Sequence, residues 1–488
     1  MQSTININEV KVNVPELATK QLKLRTCNGA KRATLSSNWL VLFGFDGTQG
    51  VVEESLGAGK GIRVQLAKPS DTRIKKVYTR VYKDRSASPL NPLKGRKERQ
   101  IEITRQALIS ESLGDDCVYV HIVFKHGVVY FLPLQESQYK LLQEIKADSK
   151  INSLVAMTGG VDCHVMEKSG FSIQAAISYR PNDARDKTDY TELDCMSTLV
   201  NSSPRVLVNE DIYKLSPARL ATLIGNTPIT VGHFSLTCTD FSNLKNKKAK
   251  ENSLENLTST IDMFIQILPI IDILKIPVLV FENVEGFVNH GAYDILALQL
   301  KRRGFNLHQQ VYRAEQHGGA SLRKRMYLIA TALDAPVELP QPEESNVNVW
   351  DDIVLKHWDE IKLRDVTDTK VMQDAITSGR ARIIDSTKKF AYSLARSQSQ
   401  DPKDAVVCER DGRYYRLPVV VQKAINCIPD SFDLDWAPLD KASQIIGQSI
   451  CCNLHERIMT SVRNHIIEAA RRISLSLSSD LNVNALQA

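Results

Sequence analysis

The fold is decided by residues 151–178, which read INSLVAMTGGVDCHVMEKSGFSIQAAIS. The apolar runs Leu154–Met157 and Ile173–Ser178 predict two strands, and Cys163–Lys168 predicts a helix between them. The first strand leads into Thr158-Gly159-Gly160, where glycines allow a tight turn and the close approach of a ligand. The stretch therefore predicts a βαβ unit with a turn suited to binding.

The same alternation of strand and helix continues to residue 334. Further strands are predicted at Val206–Val208, Ile229–Phe234, Val278–Phe281, Leu307–Tyr312 and Met326–Thr331, and further helices at Pro217–Ile224, Leu254–Leu274 and Gly291–Arg303. This alternation predicts an α/β fold, with a doubly wound, mostly parallel sheet covered by helices on both faces. Ligands of such sheets bind beyond the carboxyl ends of the strands, so we expect the functional residues just after strands.

The length of 488 residues predicts more than one domain. We expect a small, basic, all-β module over residues 1–145, with strands at Asn38–Phe45 and Ile62–Leu66 and a hairpin of Cys117–Phe124 with Val128–Leu132. The main domain is predicted to begin at 151–334, to carry a small inserted region at 351–414, and to resume at 415–473 with a final helix near Asn453–Ile473. Residues 474–488 read as a loose, serine-rich tail.

The net charge of +6 is unevenly distributed along the chain. Residues 1–150 carry 24 basic and 15 acidic side chains, whereas the remainder carries 38 basic and 41 acidic ones. A local basic excess indicates either a polyanionic partner such as nucleic acid or a solvated basic surface, and composition alone leaves both open.

Composition also excludes several classes of protein. No apolar run approaches the roughly 20 residues of a membrane span, and the first residues lack the pattern of a signal peptide. The nine cysteines form no C-x-x-C pair, so no metal site is predicted and reduced thiols are expected. We therefore expect a cytoplasmic protein without a membrane or metal partner, and a monomer.

Reactive residues follow two of the predicted strands. Cys238 follows the strand Ile229–Phe234 in the segment Ser-Leu-Thr-Cys-Thr-Asp-Phe-Ser, where it is well placed to act as a thiolate nucleophile. Glu282 begins Glu-Asn-Val after the strand Val278–Phe281 and can face Cys238 across the pocket. A thiolate with a carboxyl group suits attack on C6 of a pyrimidine while N3 is protonated, which activates C5. Each residue alone is more often structural, Cys238 as a core thiol and Glu282 as a neighbour of a helix cap.

Six segments in this order resemble the DNA cytosine-5 methyltransferases over roughly Ile151 to Ile473. They are Thr158–Gly160, Thr237–Ser242, Glu282–Val284, Ser321–Arg325, Ile428–Phe432 and Gly447–Ile450. The resemblance implies a Rossmann-like methyltransferase fold that uses S-adenosylmethionine, releases S-adenosylhomocysteine and needs no metal. It also implies double-stranded DNA as substrate and a flipped target base. A cognate restriction endonuclease is a further candidate partner. The expected host is a bacterial cell, or one that carries a phage or mobile element, and the enzyme is expected in its cytoplasm, associated with the nucleoid.

The resemblance also implies roles for individual residues. Cys238 would be the covalent nucleophile, Glu282 would bind the cytosine and assist protonation at N3, and Arg325 with Arg323 would hold the base edge or backbone. The implied cofactor-binding residues are Thr158, Gly159, Gly160, Ser178, Asp211, Ile212 and Ser449. From their positive charge, the predicted DNA-binding residues are Lys245, Lys247 and Lys248 in the loop after Cys238, and Arg80, Lys94, Arg96 and Lys97 in the basic module.

The sequence departs from the family pattern mainly on the cofactor side. The first glycine of the opening turn is Met157 or Thr158, and Ser178-Tyr179-Arg180 stands where a ribose-binding carboxylate is expected. Gly-Asn-Ser-Val is replaced by Gly447-Gln448-Ser449-Ile450. The region 351–414, which would read the DNA sequence, is short, so the basic module is expected to add phosphate contacts.

Three functions remain open at this point. The first is a DNA cytosine-5 methyltransferase, either from a restriction–modification pair or solitary. The second is an RNA (tRNA) cytosine-5 methyltransferase, for which Thr237-Cys238 is an argument and Glu282-Asn283-Val284 a counter-argument. The third is a catalytically degenerate homologue that only binds DNA, which the altered glycine turn favours and the intact Cys238 and Glu282 oppose.

Overall fold

The computed structural model describes the chain apart from residues 1–3, 8–9, 83–96, 116, 135–138, 147, 182–187, 242–246, 344, 401–402, 404 and 486–488. The chain divides into two compact units, Met1–Gln138 and Tyr139–Ala488. Three predicted DNA-binding residues, Lys94, Arg96 and Lys245, lie outside the described residues.

The N-terminal unit is built from antiparallel strands. They are β1 (Thr4–Ile7), β2 (Val10–Asn13), β3 (Ala18–Lys23), β4 (Arg25–Cys27), β5 (Ala30–Ser36), β6 (Gly50–Ser55), β7 (Ile62–Leu66), β8 (Lys75–Lys76), β9 (Tyr78–Val81), β10 (Lys97–Ile103), β11 (Tyr119–Lys125) and β12 (Val128–Leu134). They form a β1-β2 pair, a sheet of order β4-β5-β10-β9 and a sheet of order β3-β11-β12-β7-β6-β8. The predicted hairpin is present as β11 and β12, which pair in antiparallel register.

Two predictions for this unit are wrong. The apolar run Asn38–Phe45 is a short helix, α1 (Trp39–Leu42), followed by a turn and not a strand. The unit is also not all-β, because α2 (Gln106–Leu113) buries Leu108, Ile109 and Leu113 in its core. Apolar runs of this length do not distinguish a buried strand from a buried helix, which explains the first error.

The second unit is organised by a seven-stranded sheet, as predicted. Its strands are β13 (Ile151–Ala156), β14 (Phe171–Ile177), β15 (Leu207–Val208), β16 (Val231–Ser235), β17 (Val278–Asn283), β18 (Asn306–Arg313) and β19 (Lys324–Thr331), in the order β15-β14-β13-β16-β17-β19-β18. The first five strands in this order, from β15 across to β17, all pair in parallel. β19 pairs antiparallel with both of its neighbours. Buried apolar side chains cover both faces, as expected of strands that read as continuous apolar runs.

Helices flank this sheet on both faces. They are α3 (Val161–Lys168), α4 (Leu193–Asn201), α5 (Pro217–Ile224), α6 (Lys247–Glu255), α7 (Met263–Leu274), α8 (Glu285–Val288) and α9 (Gly291–Arg302), and a 3₁₀ turn covers Ala314–Gln316. The bounds of α5 follow from local chemistry, because Ser216 caps its N-terminus and Pro217 occupies the first turn. The single predicted helix Leu254–Leu274 is wrong, since a loop separates α6 from α7.

The antiparallel direction of β19 matters for the site. The parallel strands end at one edge of the sheet, and the start of β19 lies at that same edge because Asn283 pairs with Met326 and Glu282 with Tyr327. Residues just before and at the start of β19 therefore meet residues that end β16 and β17.

The region after Ala335 adds a small three-stranded sheet of β20 (Arg382–Ile384), β21 (Val406–Arg410) and β22 (Arg413–Arg416). Its helical segments are a π-helix at Val349–Val354, α10 (Trp358–Ile361), α11 (Lys370–Thr377) and 3₁₀ turns at Lys362–Arg364 and Gln398–Gln400. Its apolar side chains share one core with Val161 and Val165 of α3. The insertion is thus packed onto the main unit through a common core.

The last segment contains α12 (Val419–Ile425), α13 (Leu439–Gln448) and α14 (Cys452–Ala485). The predicted loose tail from residue 474 is wrong, because α14 continues to Ala485 and no glycine or proline interrupts it. Ile458, Met459, Val462 and Ile466 of α14 are buried against one face of the large sheet. Among the helices of the described residues, none has the length and hydropathy that a membrane span requires.

Candidate active site

The loop after β16 presents Cys238 at the carboxyl edge of the sheet. Cys238 is partly exposed, and its carbonyl accepts a hydrogen bond from the amide of Phe241 at 3.1 Å. The Nδ2 of Asn283 donates to the carbonyl of Leu236 at 3.2 Å, and Asn283 itself is 1% exposed. The end of β17 therefore fixes the loop two residues before the thiol.

Asp240 anchors the far side of this loop. Its side chain is buried, and Oδ2 accepts from Ser259 Oγ at 3.0 Å and from the amide of Thr260 at 2.8 Å. These bonds break the helical path between α6 and α7 and hold the two ends of residues 240–260 together. Residues 240 and 260 therefore lie next to each other, and α6 falls between them in the sequence.

Glu282 is held at the same edge by Arg325. The Nε of Arg325 lies 2.9 Å from Oε1 of Glu282, and the two side chains are 15% and 10% exposed. Glu282 is also the register partner of Ser235, three residues before Cys238. The predicted acid and the predicted nucleophile thus leave adjacent strands at the same level.

Arg323 is buried behind this pair. It is 1% exposed and donates to the carbonyls of Leu394 at 3.2 Å, Gly447 at 3.3 Å and Ser449. Burial, with a smaller contribution from the cation of Arg325, lowers the pKa of Arg323 to about 9, against the opposing charges of Glu282 and Cys238. Arg323 therefore ties the late segments of the chain to the site, and it is Arg325 that meets Glu282.

The glycine turn after β13 forms the second half of the site. Met157 has a φ of +65°, so this residue occupies the left-handed position that the first glycine of the turn would take. Gly160 has a φ of +95°, and a Cβ on it would lie 3.0 Å from the backbone of Ser197 and Thr198. The turn is consequently packed closely against α4.

Gly159 faces Asp194 of α4 and Gln448 at the end of α13. A Cβ on Gly159 would lie 3.4 Å from Gln448 Nε2 and 3.9 Å from Asp194 Oδ1, and these two atoms are 3.4 Å apart. Burial raises the pKa of Asp194 to about 6, although Arg180 and Arg396 oppose the shift. Ser449 lies directly after Gln448, and its hydroxyl donates to the carbonyl of Ile446 at 2.7 Å.

The remaining predicted cofactor residues are engaged within the protein. Thr158 is 2% exposed and its hydroxyl bonds to Asp162, and Ser178 is 1% exposed with its hydroxyl 3.1 Å from Thr198 Oγ1. Asp211 Oδ1 accepts from the amide of Tyr213 at 3.1 Å, which makes a local turn. Ile212 belongs to the core beneath the sheet. These side chains shape the edge of the sheet through their own contacts.

The described members of the predicted DNA-binding set are exposed cations. Lys247 and Lys248 begin α6, and Lys247 Nζ lies 3.9 Å from Glu251. Arg80 in β9 and Lys97 in β10 belong to the N-terminal unit, where the guanidinium of Arg80 lies 4.8 Å from the ring centre of Tyr82. The two groups of cations thus belong to different units of the chain.

Sequence reasoning missed a buried polar network beneath the glycine turn. Asp162 Oδ2 lies 3.5 Å from His233 Nδ1, the rings of His233 and His455 are 4.8 Å apart, and His455 Nδ1 lies 3.1 Å from Tyr327 Oη. Burial lowers the pKa of His455 well below its ordinary value, so this ring is neutral. An acidic residue in the first helical turn after the glycines was the available signal for Asp162.

No group of three or more His, Cys, Asp or Glu side chains with the arrangement of a metal site occurs within the part of the chain that the structure describes.

Comparison with known proteins gives a family for residues 150–464, which match the model of the C-5 cytosine-specific DNA methylases. The chain is 24% identical over 352 residues to the type II methyltransferase M.NgoPII of Neisseria gonorrhoeae, which covers 64% of this chain and 95% of that protein. It is 32% identical over 96 residues to M.MspI of Moraxella sp, covering 19% of this chain and 22% of the relative.

A solved structure of a Spodoptera frugiperda DNMT2 mutant is 15% identical, with a TM-score of 0.49, and the match covers 64% of this chain and 99% of that one. The family model spans more than half of the chain, and its range contains the thiol loop, Glu282, both arginines and the glycine turn. The chain belongs to the C-5 cytosine-specific DNA methylase family.

Proposed function

We propose that the protein transfers a methyl group from S-adenosylmethionine to C5 of cytosine in double-stranded DNA. The observation that carries this proposal is the junction of Cys238, Glu282 and Arg325 at one edge of the sheet, with the glycine turn at the same edge. A nucleophile, a carboxyl group beside it and an adjacent turn for a donor are what this reaction needs. The family membership of the chain supports the reaction class.

In the proposed reaction, the thiolate of Cys238 attacks C6 of the cytosine and a Sγ–C6 bond forms. The electron pair of the C5–C6 bond moves toward C5 while N3 receives a proton through Glu282. C5 would then take the electrophilic methyl group that bound S-adenosylmethionine supplies, with S-adenosylhomocysteine as the leaving group. Loss of the C5 proton to a solvent-derived base then re-forms the C5–C6 double bond and expels Cys238 as the free thiolate, and N3 returns its proton to Glu282.

Arg325 supports this chemistry by holding Glu282. Its ion pair uses Oε1 of the carboxyl group, and we assign the Oε2 side to the cytosine edge. The pair is nearly buried, so the interaction is screened less than a surface pair would be. Arg323 contributes indirectly, because its bonds to three carbonyls fix the backbone that leads into β19.

The residues around the glycine turn fit the proposed methyl donor at its amino-acid end. The turn lacks side chains at Gly159 and Gly160, and Asp194 and Gln448 face Gly159. A carboxylate beside such a turn can accept from an ammonium group. S-adenosylmethionine supplies an electrophilic methyl group when bound there. The edge near Ser178, Asp211 and Ile212 would frame its adenosine part through backbone and apolar contacts.

DNA as the substrate is supported by charge and by the relatives. Two relatives, M.NgoPII and M.MspI, are type II methyltransferases, and Lys247 and Lys248 follow the thiol loop at the start of α6. We propose that exposed cations of the N-terminal unit, including Arg80 and Lys97, contact DNA phosphates and add affinity without sequence information. We also propose a role in DNA modification, either beside a cognate restriction endonuclease or as a solitary enzyme.

The test is transfer of tritium from labelled S-adenosylmethionine to duplex DNA or to tRNA, by the wild-type protein and by Cys238→Ala. We expect label on DNA with the wild type and none with the variant. Label on tRNA alone would contradict the DNA assignment and support the RNA alternative. Absence of label on both substrates, with folded protein, would support the degenerate homologue. A denaturation-resistant complex with DNA that contains 5-fluorocytosine would report the covalent step.

A further inference from the structure

A buried carboxylate, Asp162, lies directly beneath the glycine turn, and the proposed chemistry gives it no part. It is 4% exposed and stands in the first turn of α3. Its Oδ1 accepts from the hydroxyl of Thr158, and its Oδ2 lies 3.5 Å from both Ser235 Oγ and His233 Nδ1. Burial opposes the charged form, but the adjacent His233 ring and the hydrogen bond from Thr158 hold the pKa of Asp162 below its ordinary value.

The turn above Asp162 is held by a chain of hydrogen bonds, here named the Thr158–Asp162 strap. The amide of Gly160 donates to Thr158 Oγ1 at 2.8 Å, and the same hydroxyl donates to Asp162 Oδ1. A hydroxyl has one proton to donate, so this bond is committed to the carboxylate. The strap therefore fixes both the direction of the Gly160 amide and the path of the turn.

The turn needs such support because Met157 is not a glycine. Its φ of +65° is in the left-handed region, where a residue with a side chain is less stable than in the right-handed conformation. In a glycine-rich turn this conformation would be free of that cost. The strap opposes relaxation of Met157, because relaxation would pull Thr158 away from Asp162.

The other oxygen of Asp162 connects the turn to the strand that carries the nucleophile. Ser235 ends β16, three residues before Cys238, and is the register partner of Glu282. His233 on the same strand packs against His455, whose Nδ1 lies 3.1 Å from Tyr327 Oη. One buried carboxylate thus contacts the turn on one side and the base of the thiol loop on the other.

We propose that Asp162, acting through Thr158, is the positioning residue that keeps the Met157–Gly160 turn in its ligand-binding form and in register with the thiol loop. The proposal rests on the proposed function, because the ligand it concerns is S-adenosylmethionine. Asp162 touches neither the methyl donor nor the base. Its hydrogen bond to Thr158 stabilises the left-handed conformation at position 157, which a glycine would adopt without such support.

The test measures the Kd of S-adenosylhomocysteine by calorimetry for full-length variants. Thr158→Val removes the strap and keeps the side-chain shape, whereas Thr158→Ser keeps the hydroxyl. We expect Thr158→Val and Asp162→Ala to bind at least about tenfold more weakly, as the loss of a buried hydrogen bond predicts. Thr158→Ser should stay within about twofold of the wild type, because its hydroxyl can make the same bonds.

The matched control is Thr331→Val, which removes a buried hydroxyl that lies 2.8 Å from His465 Nε2 at the opposite edge of the same sheet. It should lower the melting temperature to a similar extent and leave the Kd unchanged. Equal Kd values for Thr158→Val and the wild type would overturn the proposal, and so would an equal loss of binding in Thr331→Val. A folded wild type that binds no S-adenosylhomocysteine would instead refute the proposed function.

A second variant tests the account of strain. Adding Met157→Gly to Thr158→Val removes the cost of the left-handed conformation, so part of the lost affinity should return. Steady-state kinetics on DNA should then show the defect of Thr158→Val in the KM for S-adenosylmethionine, with the KM for DNA unchanged. Failure of the glycine to restore any affinity would contradict the role assigned to the strap.

Discussion

The side-chain amide of Asn283 donates to the carbonyl of Leu236 across 3.2 Å, and this bond joins the end of β17 to the loop that carries Cys238. We expect Asn283→Asp to reduce kcat strongly, by about 10- to 100-fold, because a carboxylate oxygen would face the carbonyl of Leu236 in place of the N–H donor that this carbonyl now has. The KM for S-adenosylmethionine should change little. Single-turnover methylation assays check this, and a change confined to that KM would contradict it.

Arg325 and Glu282 form a nearly buried ion pair, so removing one partner should be costly. We expect Arg325→Gln to lower the free energy of unfolding by about 3 kcal/mol and to abolish most activity, because Glu282 would lose its countercharge. The control is Lys324→Gln on the same strand, whose partner Glu285 is 49% exposed at 3.5 Å. That change should cost less than about 1 kcal/mol. Urea denaturation measures both, and equal effects would contradict the prediction.

Asp194 should make stability depend on pH. Burial raises its pKa from 3.8 to about 6, against the pull of Arg180 and Arg396, so the folded protein binds this proton more tightly than the unfolded chain. Its contribution is fully present below about pH 4 and is lost as pH rises through about 6, by roughly 3 kcal/mol at most. Asp194→Asn should remove that slope. Urea denaturation of both proteins at pH 5 and 7.5 tests this, and parallel pH profiles would contradict it.

The exposed cations of the N-terminal unit should contribute to DNA binding through counterion release. We expect Arg80→Ala with Lys97→Ala to lower the slope of log K against log salt by about 2, since each lost phosphate contact removes about 0.9. The control is Lys75→Ala, because Lys75 already bonds to Glu53 at 2.7 Å. Fluorescence anisotropy at several salt concentrations measures the slopes. An unchanged slope in the double variant would remove these residues from the DNA contact.

The large sheet could be predicted because its strands are buried on both faces and therefore read as short apolar runs. All seven predicted strands are present, with Cys238 three residues after the end of β16 and Glu282 in the last two residues of β17. The antiparallel return of β19 explains why Arg325 meets Glu282, and the order of motifs in the sequence does not contain that information. The order of the motifs identified Glu282 and Arg325 in the sequence, and the antiparallel direction of β19 brings their side chains together.

Two features that the sequence did not reveal depend on distant residues. Residues 254–274 have a helical pattern, but Asp240 draws the amide of Thr260 into a loop and divides the helix. The importance of Asp162 depends on Ser235 and His233, which lie on another strand. Local sequence patterns do not show which side chains from distant parts of the chain will pack together in the interior. Such contacts appear only in the structure.

The position of α14 bears on how the protein can be made. Its buried residues Ile458, Met459, Val462 and Ile466 cover one face of a sheet whose first strand begins at Ile151. Arg323 likewise bonds to carbonyls at Gly447 and Ser449. Because synthesis proceeds from the N-terminus, the strands of the sheet leave the ribosome before α14 can cover that face. Arg323 is likewise made before the carbonyls of Gly447 and Ser449 to which it bonds. A chain stopped before residue 447 could not complete the site, so an incomplete translation product would be unable to modify a substrate.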